Sequence, residues 1–233
     1  MFSGKIVVVT GAAGALGHAV FKHFTDQGAQ VVALDYSDEL LDIAFPEKSG
    51  EHRYLAADLT SAESCVNVFN AVISELGRID VLCNVAGGFM MGEAVHETSD
   101  KTWDFLMNLN ARSIVNTAQG VVPQMLAQGG GKIINVAAGA ATRGIASMGV
   151  YTASKAAVMR LTEAMAAELR EQHINVNAIM PSMIDTPRNR EDMPDADYSK
   201  WVPPEQLANV IGFLASDAAA AVHGACIPVD GLS

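Results

Sequence analysis

The feature that most constrains the fold is a strand, turn and helix signature at the amino-terminus. Lys5-Ile-Val-Val-Val-Thr10 is apolar and β-branched and runs directly into Gly11-Ala-Ala-Gly14-Ala-Leu-Gly17. Leu16, Ala19, Val20 and Phe24 then recur at helical spacing. Spaced glycines let backbone approach a ligand closely, and the first N–H groups of a helix have no intrahelical acceptor. A dinucleotide pyrophosphate can sit there. Asp35 closes the next apolar run, Gln30-Val-Val-Ala-Leu-Asp35, where a carboxylate can accept from a ribose 2′-OH.

The rest of the chain alternates in the same way. Strand-like runs at 54–58, 79–85, 132–138, 174–180 and 225–229 are separated by helical patterns: a short one through Leu40 and Leu41, one carrying Val66, Phe69, Ile73 and Leu76, and others over about 101–128, 150–171 and 205–216. Such alternation predicts an α/β chain: a single doubly wound (Rossmann) domain with a mostly parallel seven-stranded sheet and helices on both faces. At 233 residues, half of them hydrophobic, the chain reads as one domain over 1–233. The longest stretch without periodicity is 181–204. Met193, Tyr198 and Trp201 give it apolar anchors, so it is expected to be a substrate lid.

Composition removes several classes of function. A formal charge of −11 with no basic cluster argues against a nucleic-acid or anionic-membrane partner. No run reaches the ~18 apolar residues of a membrane span, and Gly11, Gly14 and Gly17 speak against reading the start as a signal peptide. Cys65, Cys83 and Cys226 are odd in number and lack C-x-x-C spacing, which fits reduced thiols in a cytoplasmic protein. The six histidines show no ligand spacing, so no metal is expected.

The second chemical signal is Gly149-Val-Tyr151-Thr-Ala-Ser-Lys155. Tyr151 and Lys155, four apart, share one face of a helix. The ammonium is therefore expected to lower the phenol's pKa toward the range where it exchanges a proton at neutral pH.

Taken in order, the glycine turn, Asp35, Asp58-Leu59, Asn84-Val-Ala-Gly87, Asn110, Tyr151-x-x-x-Lys155 and Pro181 to Thr186 resemble the motifs of the short-chain dehydrogenase/reductase family over essentially the whole chain. The resemblance implies a nicotinamide cofactor held by Gly11, Gly14, Leu16 and Gly17 at the pyrophosphate and by Asp58 and Leu59 at the adenine. It further implies Asn84, Ala86 and Gly87 along the ribose side, and Pro181 and Thr186 at the nicotinamide. Asp35 points to NAD(H) over NADP(H), because no cation at Ala12, Ala13, Ala15, Tyr36 or Ser37 compensates a 2′-phosphate. Family members are usually homodimers or homotetramers, built on the helices around 101–128 and 150–171.

The sequence departs from the family pattern in four places. Ala15 stands where the turn usually has its second glycine, Val85 replaces an asparagine and Ser182 a glycine. The fourth departure concerns the chemistry. The resemblance implies Tyr151 as proton donor, Lys155 as its partner and Asn110 as the anchor of a water, but the position of the usual serine falls on Ala138. A donor aimed at a developing oxyanion is typically worth roughly a hundred- to a thousand-fold in rate. Either Ser147 or Thr142 stands in, or the enzyme is a weakened alcohol dehydrogenase or ketone (3-oxoacyl) reductase, or the substrate needs no such bond. In support of the last, the glycine turn, the missing serine and Asp185-Thr-Pro-x-Asn-Arg-x-x-Met-Pro-x-Ala-Asp-x-Ser-x-Trp201 resemble the quinonoid dihydropteridine reductases. A non-catalytic NADH-binding sensor is the remaining alternative, although it would need no proton donor.

Overall fold

In the computed structural model, which describes residues 1–233, the alternation becomes a single sheet. β1 (Ile6–Thr10) is buried along its whole length, as an Ile-Val-Val-Val run is when helices cover both faces. It leads through α1 (Ala15–Asp26), β2 (Gln30–Asp35), α2 (Asp38–Ala44), β3 (Arg53–Ala56) and α3 (Ala62–Leu76) to β4 (Val81–Asn84). Then follow α4 (Asp100–Leu106), α5 (Ser113–Ala127), β5 (Gly131–Val136), α6 (Gly149–Leu169), β6 (Ile174–Pro181), α7 (Pro187–Asp192), α8 (Pro204–Ala215) and β7 (Cys226–Val229). The strand order is β3-β2-β1-β4-β5-β6-β7, and every pairing is parallel. The order reverses between β1 and β4. In open α/β sheets a ligand binds in the crevice at such a switch point, outside the carboxyl ends of the strands.

Successive residues of each strand feed opposite cores, because strand side chains alternate. Val7, Val9, Val31 and Ala33 pack with Phe24 of α1 and Leu207 and Ile211 of α8, whereas Ile6, Val8, Val32 and Leu34 pack with Phe69 of α3 and Val121 and Met125 of α5. Ser37, Ser61 and Ser99 cap α2, α3 and α4 by accepting from the N–H three residues on. No helix is long and apolar enough to cross a membrane.

Two stretches differ from expectation. The helix expected over 101–128 is broken into α4 and α5 by a π-turn at Met107–Arg112, whose cause lies in the site. The expected irregular lid instead has internal order. The Ile184–Val202 bridge closes its base, with Asp185 N–H donating to Val202 O and Val202 N–H to Met183 O, both at 2.9 Å. Thr186 caps α7 by accepting from Asn189 N–H. The Arg190 guanidinium pairs with both oxygens of Asp185 and lies 4.7 Å from the Tyr198 ring, which packs on the buried Trp201.

Candidate active site

The turn after β1 is shaped by contacts that only glycine permits. A Cβ on Gly17 would come within 2.0 Å of Gly11 O, and one on Gly11, already at φ +64°, within 2.7 Å of Ala86 Cα. Gly14 is the N-cap, so Ala15 begins the helix and costs the turn nothing. The N–H groups of Ala15, Leu16 and Gly17 find no acceptor in the chain. Such amides at a helix start form a cradle for a pyrophosphate.

Asp35 sits at the rim of this cradle and also helps to build it. Its Oδ2 accepts from Ala13 N–H and its Oδ1 from Tyr36 N–H, at 2.9 and 2.8 Å. Lone pairs on both oxygens remain for ribose hydroxyls. Asp58 Oδ1 accepts from both Thr60 N–H and Thr60 Oγ1, which orders the loop after β3, with Leu59 buried beside it.

Across the crevice, Asn110 lies in the π-turn and is 1% exposed. Gly88 N–H donates to its Oδ1 at 2.8 Å, while its Nδ2 donates to Gly88 O at 3.0 Å and to Ser154 Oγ at 2.9 Å. Ser154 Oγ in turn donates to Tyr151 O. One amide therefore ties the loop after β4 to the first turns of α6. The π-turn is the backbone's adjustment that points this side chain inward; such bulges are frequent at functional sites.

Lys155, 6% exposed, donates from Nζ to Val136 O at 2.9 Å and has N–H donors to spare. Burial pushes its pKa down from 10.5 to about 8. A Cβ on Gly87 would lie 2.9 Å from that Nζ and 3.0 Å from Asn110 Oδ1, so the absent side chain leaves this corner open. Tyr151 is packed edge-to-face against Phe89, ring centroids 4.8 Å apart. It borders a cavity of about 50 Å³ whose other walls include the apolar Met90, Met91, Leu106 and Met148 and the polar Glu93, Thr98, Thr102 and Ser147. Ala138, just past β5, is 5% exposed and offers no side-chain donor.

Comparison with known proteins agrees with this arrangement. Residues 5–197 match the family model of the short chain dehydrogenases. The chain belongs to this family. It is 35% identical to a 3-oxoacyl-[acyl-carrier-protein] reductase of Thermotoga maritima, over 98% of this chain and 97% of that protein. It is 34% identical to an NAD-dependent glycerol dehydrogenase of Listeria innocua, over 97% and 92%. Among solved structures, NAD+-bound xylitol dehydrogenase superposes with a TM-score of 0.91 at 27% identity, over 99% of both chains. This short-chain dehydrogenase is thus an oxidoreductase of the nicotinamide-dependent kind.

One expectation for its site needs correction. The Tyr151 phenol is not lowered: burial, which penalises the tyrosinate, raises it above the ordinary range. The Asn84 side chain is turned into the sheet. It is buried and donates to Asn135 Oδ1 at 2.9 Å, and Asn135 donates to Thr162 Oγ1, so it ties β4 to β5. Of the two hydroxyls considered for the missing serine, Thr142 Oγ1 donates to Gly139 O at 2.9 Å. Sequence reasoning also missed Ser154, which no motif marks and which relays Asn110 to the Tyr151 backbone. No group of three or more His, Cys, Asp or Glu side chains is placed to hold a metal.

Proposed function

We propose that this chain transfers a hydride between NAD(H) and a ketone or its secondary alcohol, with Tyr151 exchanging the proton. The observation that carries the reading is the gathering of Lys155, Asn110 and the Tyr151 turn of α6 around Gly87 and Gly88, beside the amide cradle. When bound, the cofactor supplies or receives the hydride. Gly11, Gly14, Leu16 and Gly17 hold its pyrophosphate, Asp35 its adenosine ribose, Asp58 and Leu59 the adenine, Ala86 and Gly87 the adjoining wall, and Pro181 and Thr186 the nicotinamide end. The spare donors of Lys155 suit a ribose hydroxyl, and its charge opposes that of a forming tyrosinate. Asn110 holds the loop and α6 at fixed separation.

NAD(H) is favoured over NADP(H) because a 2′-phosphate would bring like charge against Asp35. That repulsion is about 4 kcal/mol per unit charge at ~4 Å and an effective dielectric of ~20. A second reading, a quinonoid dihydropterin as substrate, rests on the absent hydroxyl at Ala138 and on the lid sequence 185–201, where Tyr151 would protonate a conjugated imine-like ring. The chain is taken as one domain with its lid at about 181–204. The unpaired Cys65, Cys83 and Cys226 support a cytoplasmic setting, and the exposed Trp103, Phe105 and Leu126 support a homodimer or homotetramer.

The test is NADH and NADPH oxidation under one set of conditions with simple ketones and with a quinonoid dihydropterin. Turnover of ketones with NADH is expected; turnover of the pterin alone selects the second reading. Tyr151→Phe is expected to lower kcat by roughly a hundred-fold or more in either case. Unchanged kcat would place the acid elsewhere.

A further inference from the structure

We propose that Ser147 donates the second hydrogen bond to the substrate oxygen that Tyr151 protonates. This rests on the carbonyl reading above. As a carbonyl is reduced, its carbon receives the hydride from NADH, the C=O π pair moves to the oxygen, and that oxygen takes the Tyr151 proton. Ser147 keeps its own proton throughout. The oxygen has a second lone pair while its charge grows, and one well-aimed donor there is typically worth roughly a hundred- to a thousand-fold.

Besides Tyr151, only one side chain lining the cavity has a hydroxyl that makes no hydrogen bond within the chain. Thr98 Oγ1 donates to Ala94 O at 3.3 Å, and Thr102 Oγ1 to Glu93 Oε1 at 3.1 Å. Glu93 is an acceptor, already taking bonds from Ser99 and Thr102. The neighbouring Ser154 donates to Tyr151 O. Ser147, four residues ahead of Tyr151, lines the cavity, is exposed, and makes no side-chain hydrogen bond in the chain.

The fold gives no other reason for a serine at this position. Its backbone is left-handed, φ +59°, a conformation that glycine adopts without strain and asparagine at little cost. Gly92 N–H holds it there by donating to Ser147 O at 2.8 Å, a bond any residue could accept. Nor does the hydroxyl cap α6, whose N-cap Met148 has no side-chain bond. Strained residues of this kind concentrate at functional sites.

The experiment compares wild type, Ser147→Ala and Ser147→Gly in three measurements: kcat for a simple ketone, NADH affinity by fluorescence quenching of the free enzyme, and Tm. Glycine removes the strain along with the hydroxyl, and its Tm reports whether the fold is kept. Both variants are expected to lose roughly a hundred-fold in kcat, with NADH affinity unchanged and the Tm of the glycine variant at or above wild type. Retention of kcat within about threefold in both variants, or a loss in the glycine variant that accompanies a fall in Tm or NADH affinity, would overturn the assignment. A wild type inactive on every ketone yet active on the pterin overturns the carbonyl reading and this assignment with it.

Discussion

Replacing Lys155 by methionine should make the ligand-free protein more stable while destroying its activity. The structure sets the size and the pH dependence of the effect. Lys155 is buried, and its pKa falls from 10.5 to about 8 because burial penalises the ammonium. That gap corresponds to about 3 kcal/mol. Methionine fills similar space without the charge but leaves Val136 O without its donor, a loss of about 1 kcal/mol. The net gain at pH 7 is therefore about 2 kcal/mol, or roughly 5 °C in Tm for a chain of this length. The sign follows from proton linkage. Below pH 8 the lysine is charged in both states and the folded state bears the full penalty; between 8 and 10.5 the folded lysine has discharged while the unfolded one has not, so the penalty fades. Urea unfolding of both proteins at equal protomer concentration, at pH 7 and again near pH 10.5, measures this directly. The methionine variant should lead at the lower pH and lose its lead at the higher. A difference that does not move with pH, or a variant less stable at pH 7, would refute the reasoning.

Other outcomes follow from the same geometry. Asn110→Ala removes an acceptor and two donated bonds around Gly88 and Ser154 and should cost about 2–3 kcal/mol in urea unfolding, together with a large loss of kcat; full stability would mean that water replaces the amide. Asp35→Ala should lower the NADH-to-NADPH ratio of kcat/KM by at least tenfold, as a few kcal/mol of repulsion disappears, and an unchanged ratio would remove the carboxylate from cofactor choice. Reductive kcat/KM, followed from pH 6 to 10, should hold until Lys155 discharges near pH 8 and then fall; a profile flat to pH 10 would show that the ammonium charge is not used.

The sheet was readable because each strand and helix announces itself locally, in β-branched runs, 3.6-residue periodicity and glycines whose neighbours leave no room for a Cβ. Helix α6, expected over 150–171, runs Gly149–Leu169, and β6, expected over 174–180, runs Ile174–Pro181. What escaped depends on residues far apart in sequence. The π-turn at Met107–Arg112 keeps a helical pattern of residues, and its cause is Asn110 bonding to Gly88 and Ser154, 22 and 44 positions away. The Tyr151 shift was expected with the opposite sign because spacing reveals the neighbouring cation but not the burial. Asn84 belongs to a motif associated with the cofactor, yet its side chain finds Asn135, 51 residues on. Nothing in Ser147's neighbours in sequence announces a left-handed backbone.

The π-turn also means that the helix from Asp100 to Ala127 carries one residue more than its length requires. Deleting a single residue from 107–109 would let it heal into an unbroken α-helix, a conformation with better internal hydrogen bonding. Everything ahead of the deletion would then turn by about 100° around the helix axis. Trp103 and Phe105, now on the outer surface, would swing toward a different neighbour. The surplus residue thus works as a phase setting between two halves of one helix: the rear half is keyed to α3 through Gly120 and Phe69, the front half to the loop over Tyr151. A drifting lineage could lose this setting in one step, and would gain a more regular helix while losing the alignment of its site.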